Sequence, residues 1–324
     1  MSREQSVQVQ EGHGVNMGDG GRIGQVGNNT NYHISSANLI LPPEFIQLFH
    51  AAYEQRDRED FTLEEIPRES WEPETCFVPG GIFLMGSEAG DDIPPSESPQ
   101  FEYFLPDFRV GKYPVTNRQY AHYLLATNGD VPTELAWQNG IQPAENQLDL
   151  PVRGITWKEA IKYCNWLIEV TGRPYALPSE AQWEKAARGP EGHNYPWGND
   201  WQEGTFCNSS VAMVTPVNAY PGGASVYGCE DMVGNVREWT TSMWGRKRRH
   251  NLDPLSAYPW QEIWKPNGGH DELNQNRQIR RVTRGGAKLV SDVPLRAANR
   301  DSELPFMRGL KHRRIGFRVV INWE

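Results

Sequence analysis

Leu177-Pro178-Ser179-Glu180-Ala181-Gln182-Trp183-Glu184-Lys185-Ala186-Ala187-Arg188-Gly189 carries its own start and stop. Ser179 precedes Gln182 by three residues, the spacing of a capping box, and Gly189-Pro190 breaks the helix that follows. The same grammar recurs at Thr116 with Gln119, stopping at Asn128-Gly129, and at Thr156 with Glu159, stopping at Gly172. In the helix after Thr156, Ala160, Ile161, Cys164, Leu167 and Ile168 fall on one face and are expected to point inward. Upstream, Phe77-Val78-Pro79-Gly80-Gly81-Ile82-Phe83-Leu84-Met85-Gly86 reads as two strands joined by a glycine turn. Beyond Pro190 the chain becomes loops, tryptophans and short strands. Such wealth in Gly, Pro and Trp predicts an α+β fold whose many turns are pinned by aromatic packing.

The 324 residues suffice for a sizeable core, and three regions follow from composition. Residues 1–36 are rich in Gly and Asn and hold too few apolar side chains to order alone; they are expected to be a tail or a β segment ordered by a partner or by self-association. Residues 37–70 hold an amphipathic helix after Pro42-Pro43, with Phe45, Leu48, Phe49, Ala52 and Tyr53 on one face, and the charged linker Arg56-Asp57-Arg58-Glu59-Asp60. The main domain runs over 71–324. A net charge of −9 argues against nucleic acid as the partner, although basic residues prevail from Arg246 onward, as in Arg246-Lys247-Arg248-Arg249-His250, and would suit an acidic ligand. No apolar run reaches membrane-spanning length and the N-terminus lacks a secretory h-region, so a cytoplasmic protein is expected. Cys76, Cys164, Cys207 and Cys229 have neither paired-ligand nor disulfide-scaffold spacing and are expected as free thiols.

Near the C-terminus, fixed words alternate with irregular filler. The words are Arg284-Gly285-Gly286, Leu295-Arg296-Ala297-Ala298-Asn299-Arg300 and Ile315-Gly316-Phe317-Arg318-Val319-Val320; their glycines, Phe and β-branched residues suit backbone geometry and core contact. The filler follows neither a two-residue nor a helical period and reads as presented loop.

Several words together resemble the formylglycine-generating enzyme and sulfatase-modifying-factor family. They include Pro79-Gly80-Gly81-Ile82-Phe83-Leu84-Met85-Gly86, Tyr113-Pro114-Val115-Thr116-Asn117, Pro151-Val152-Arg153-Gly154-Ile155-Thr156-Trp157, the stretch 177–189, Tyr195-Pro196-Trp197-Gly198, Asp231-Met232-Val233-Gly234-Asn235-Val236-Arg237-Glu238-Trp239 and Gly316-Phe317-Arg318. The resemblance, from about Cys76 to the end, implies a C-type-lectin-like α+β domain with little regular secondary structure. The family's enzymes hold copper with two cysteines after the Arg-Gly-Gly word. Here those positions fall at about Val290 and Leu295, so neither copper nor catalysis of the parent type is expected. The dispersed histidines offer no iron-binding cluster either.

The C-terminal third resembles a non-catalytic branch, the variable proteins of diversity-generating retroelements, in which filler is diversified and lines a ligand-binding face. Carried over by position, the region is about 284–320. The face would comprise Lys288, Leu289, Val290, Ser291, Asp292, Asp301, Ser302, Glu303, Leu304, Phe306, Met307, Leu310, Lys311, His312 and Arg313. Its partner would be a protein or other macromolecule, docked on apolar anchors and oriented by charge. Ala287-Lys288 replaces the branch's usual Ser-Trp, and the spacer from Gly309 to Arg314 is longer than usual. The resemblance also implies a structural calcium held by Asp231 and Glu238 side chains and the carbonyls of Gly234 and Val236, an all-oxygen set. The alternative for this turn is that Asp231 caps amides while Glu238 pairs with an arginine. Two other functional classes stay open: an enzyme with a relocated active site, and a structural or assembly subunit.

Overall fold

The computed structural model describes residues 17–18, 22–26, 30–33, 68–90, 92–132, 135, 137, 142–201, 204–209, 213–245, 279–286, 295–306 and 314–322. The helix expected after Pro43, the basic run from Arg246, and the filler residues Lys288 to Asp292, Met307 and Leu310 to Arg313 lie outside the described residues. Near the N-terminus, β1 (Met17–Gly18), β2 (Arg22–Val26) and β3 (Thr30–His33) form an antiparallel sheet.

All three capping boxes form. Thr116, Ser179 and Thr156 each accept from the amide three residues on, while Gln119, Gln182 and Glu159 reach back to the cap amides. They open α1 (Asn117–Thr127), α2 (Trp157–Thr171) and α3 (Glu180–Arg188). Asn128 and Gly172 end the first two in the left-handed conformation. The stripe on α2 needs one correction: Ile168 is exposed, because the buried face turns toward Tyr163 and Trp166, whose rings pack 5.7 Å apart.

Two strands occupy the Phe77 region, β4 (Thr75–Val78) and β5 (Gly81–Met85), yet they do not pair with each other. β4 joins β7 (Phe108–Gly111) in the sheet β4-β7-β13-β8, completed by β8 (Tyr175–Ala176) and β13 (Val320–Asn322). β5 pairs with β6 (Phe101–Leu105). A third sheet, in the order β11-β10-β9-β12, is built on the long β9 (Gly234–Gly245), with β10 (Arg280–Gly286), β11 (Arg300–Glu303) and β12 (Ile315–Gly316).

One core cluster gathers Tyr120, Tyr163, Trp166, Leu167, Trp239 and Phe317 between α1, α2 and β9; another gathers Val78, Phe83, Phe108, Trp183 and Val320 under α3. Lys185 of α3 lies within this interior. Its Nζ donates to the Gly81 carbonyl at 2.9 Å, and burial pushes its pKa down to about 7. An unfolded chain then binds a proton that the folded chain sheds, so this group adds stability as pH rises from about 7. In urea titrations the stability of Lys185→Met relative to the parent should fall by roughly 1 kcal/mol per pH unit between pH 7 and 9. A pH-independent difference would contradict this origin.

Candidate ligand-binding face

The three C-terminal words converge on β9. β10 runs antiparallel to it with Arg284 opposite Glu238 and Gly286 opposite Gly234, while β12 runs parallel with Gly316 opposite the same Glu238. β11 starts at Arg300, opposite Arg284. Consequently the chain leaves the Arg-Gly-Gly word, re-enters at Arg300 and returns at Ile315 toward one end of this sheet. The glycines permit the close approach. Gly286 has φ +105° and lies tight against Arg237, and a side chain on Gly316 would run into the Val152 carbonyl.

Every arginine in the three words points inward. Arg318 is fully buried; its Nε and Nη2 donate to the two Glu238 oxygens at 2.6 and 2.8 Å, and its remaining donors meet the carbonyls of Gly111, Lys112 and Glu230. Trp183 Nε1 donates to Glu238 at 2.8 Å. Arg284 reaches two carboxylates and three carbonyls, giving Nη2 to Glu184 at 2.6 Å and to Glu180 at 3.3 Å, and Nη1 to the carbonyls of Ala297, Ala298 and Asn299. Arg300 pairs bidentately with Glu180 at 2.6 and 2.9 Å. Arg296 and Asn299 both donate to Glu97. The words are therefore bolted to acidic hubs on α3, on β9 and in the short 3-10 turn Pro95–Glu97.

Sequence reasoning missed Glu97, Glu180 and Glu184 as the anchors of this region. Only the i,i+4 spacing of Glu184 and Arg188, which pair at 2.8 Å, could have flagged one of them.

Filler that the structure describes divides between presented and packed. Asp301 is exposed and lies 3.7 Å from Arg237. Ser302 corrects the expectation of a fully presented stretch at 301–304: it is buried, because β11 pairs with β10 and successive side chains alternate between faces. Its hydroxyl and carbonyl accept from Arg280. Glu303 is half-buried within 3.5 Å of Arg280, and Leu304 is half-buried. Phe306 is partly exposed, with Lys158 Nζ 4.7 Å from its ring centroid.

Leu295 packs against Cys207, Val233 and Trp197, an apolar environment with no ligating atom from its own side chain. Val290 lies outside the described residues. Asp231, just before β9, and Glu238, on β9, are both buried, and Asp231 adopts φ +55° and accepts from Asn235 at 2.9 Å. Burial pushes the Asp231 carboxyl up to about 7, and Arg318 neutralises Glu238. Glu238, one of the two carboxylates expected to hold calcium, thus has both of its oxygens taken by the Arg318 guanidinium. Among the described residues no three His, Cys, Asp or Glu side chains gather as a metal site. No helix among them is long and apolar enough to cross a membrane.

Buried Arg–Glu pairs thus tie all three C-terminal words into one α+β domain. Residues 62–323 match the sulfatase-modifying factor enzyme 1-like domain, and the chain belongs to this family. It is 31% identical over 221 residues to the inactive C-alpha-formylglycine-generating enzyme 2 of Mus musculus, covering 53% of this chain and 69% of that protein. It is 30% identical over 265 residues to hercynine oxygenase of Mycobacterium tuberculosis, covering 70% of this chain and 56% of the enzyme. Inactive and catalytic proteins therefore both stand among its relatives. Treponema denticola variable protein 1 shares the fold with a TM-score of 0.54 at 18% identity, over 77% of this chain and 95% of that one.

Proposed function

We propose that this chain is a non-catalytic ligand-binding protein that presents the filler between its C-terminal words to a protein or other macromolecular partner. One observation carries the reading. The words flanking the filler are locked to the scaffold by buried Arg–Glu pairs, while Asp301 and Phe306 between them reach the surface. A rigid frame with irregular insertions tolerates change in the insertions without loss of fold, which is what a diversified recognition surface requires. Leu295, at a position where the family's enzymes need a thiol, supports the non-catalytic side of the reading. Cytoplasmic residence is proposed with it.

The test is a graft. Filler at 288–292, 301, 304, 306–307 and 310–313 is replaced by unrelated sequence, with the three words and Ser302 kept. The grafted protein should melt within a few degrees of the parent and lose at least about tenfold in affinity for a partner captured by the parent. Unfolding of the graft, or unchanged binding, would refute the display reading. Copper-dependent oxidation with turnover would establish the enzymatic one instead.

A further inference from the structure

Two cysteines far apart in sequence meet beneath the Arg318 anchor. Cys76 lies on β4 opposite Val110. Cys229 closes a tight turn in which Ser225 N donates to the Cys229 carbonyl at 2.8 Å and Cys229 N donates to Ser225 Oγ at 3.3 Å. The next amide, Glu230 N, donates to the Lys112 carbonyl at 2.8 Å, and Lys112 N donates to the Glu74 carbonyl at 2.8 Å, which ties the turn to the start of β4. Cys76 packs against the core cluster that holds Cys229, and each thiol perturbs the ionisation of the other. A methyl built on Gly228, next to Cys229, would sit 3.6 Å from Cys76 Sγ.

The partners are unequal. Cys229 is wholly buried, whereas Cys76 is partly exposed. The neighbouring Cys229 thiol, helped by the positive charges of Lys112 and Arg318, holds the Cys76 pKa below the ordinary thiol value against the opposing effects of burial and Glu74. By contrast, burial pushes Cys207 up to about 12 and Cys164 higher still.

We propose that Cys76 and Cys229 form a peroxide-responsive dithiol, with Cys76 as the attacking thiolate and Cys229 as the resolving thiol. The Cys76 thiolate attacks one peroxide oxygen, the O–O bond breaks, and hydroxide leaves a sulfenic acid on Cys76. Cys229 sulfur then attacks Cys76 sulfur; the S–O bond breaks, the S–S bond forms, and water departs with the Cys229 proton. In total two thiols lose two electrons and two protons, and one hydrogen peroxide becomes two waters. The product ties β4 to the turn that leads into β9, directly beside the Arg318–Glu238 pair.

The full-length reduced protein is treated with hydrogen peroxide, alkylated, and mapped by mass spectrometry without reduction. The expected product is a Cys76–Cys229 cross-linked peptide, with Cys164 and Cys207 recovered as alkylated thiols. In Cys229→Ser the sulfenic acid should be trapped at Cys76 by dimedone, and Cys76→Ser should consume peroxide about tenfold more slowly or worse. Oxidation of Cys164 or Cys207 as fast as Cys76 would overturn the proposal. So would equal persistence of the Cys76 sulfenic acid in the parent and in Cys229→Ser. Should a serine variant fail to fold, the map of the parent protein decides alone.

Discussion

Glu238→Ala should cost about 3–5 kcal/mol of folding stability, the scale for removing one partner of a buried ion pair. The Arg318 guanidinium that it deserts is fully buried, and the three carbonyls that remain around it carry only dipoles. Trp183 Nε1 would lose its acceptor as well. Arg318→Met should cost a similar amount by stranding the Glu238 carboxylate. Combining Glu238→Leu with Arg318→Met should cost far less than the sum of the single changes, because both charges then leave the interior together. Urea midpoints read these differences, with the denaturant slope unchanged if the native fold survives. A loss under about 1 kcal/mol in Glu238→Ala would mean that the pair is solvated, as surface pairs are. The position matters beyond stability, since Glu238 lies opposite both Arg284 and Gly316 and so registers two of the three C-terminal words at one point on β9.

What was legible in the sequence was local or shared with relatives. Capping boxes join residues three apart, so Thr116, Thr156 and Ser179 announced α1, α2 and α3 without any knowledge of their surroundings. Family words supplied the fold class. Strand partners were not legible: β4 and β5 follow one another across a glycine turn, as a hairpin would, yet each pairs with a different strand. Ion pairing left no periodic mark. Glu97 meets Arg296 and Glu180 meets Arg300 across more than a hundred residues, and in sequence each glutamate looks like ordinary solvated charge. For Glu238 the sequence left a cation or an arginine as partner, and Arg318 occupies both carboxylate oxygens. Ile168 shows the limit of a helical stripe, since a face several residues wide does not specify which edge the core reaches.

Arg284→Met should loosen the proposed face itself as well as destabilise the domain. Through Nη1 Arg284 gathers the carbonyls of Ala297, Ala298 and Asn299, and through Nη2 it grips Glu184. Methionine can fill much of the volume but offers none of these donors, so a buried carboxylate loses a counter-charge and three carbonyls lose a donor. Expected destabilisation is again about 3–5 kcal/mol, and Arg284→Lys should recover only part of it because one ammonium cannot reproduce a planar fork. Burial alone would raise the Glu184 pKa, but Arg284, Arg188 and the Gly86 amide hold it below the ordinary carboxylate value. A depressed folded pKa contributes stability that is present above the unfolded value and lost as pH falls through the folded one. The gap between parent and Arg284→Met should therefore narrow below about pH 4.5. Hydrogen exchange separates the local effect from the global one: amides across Leu295–Arg300 should exchange faster under native conditions while those of α1 and α2 keep their relative protection. Uniform acceleration over all three helices would show instead that Arg284 supports the whole domain and holds no special grip on the segment between the words.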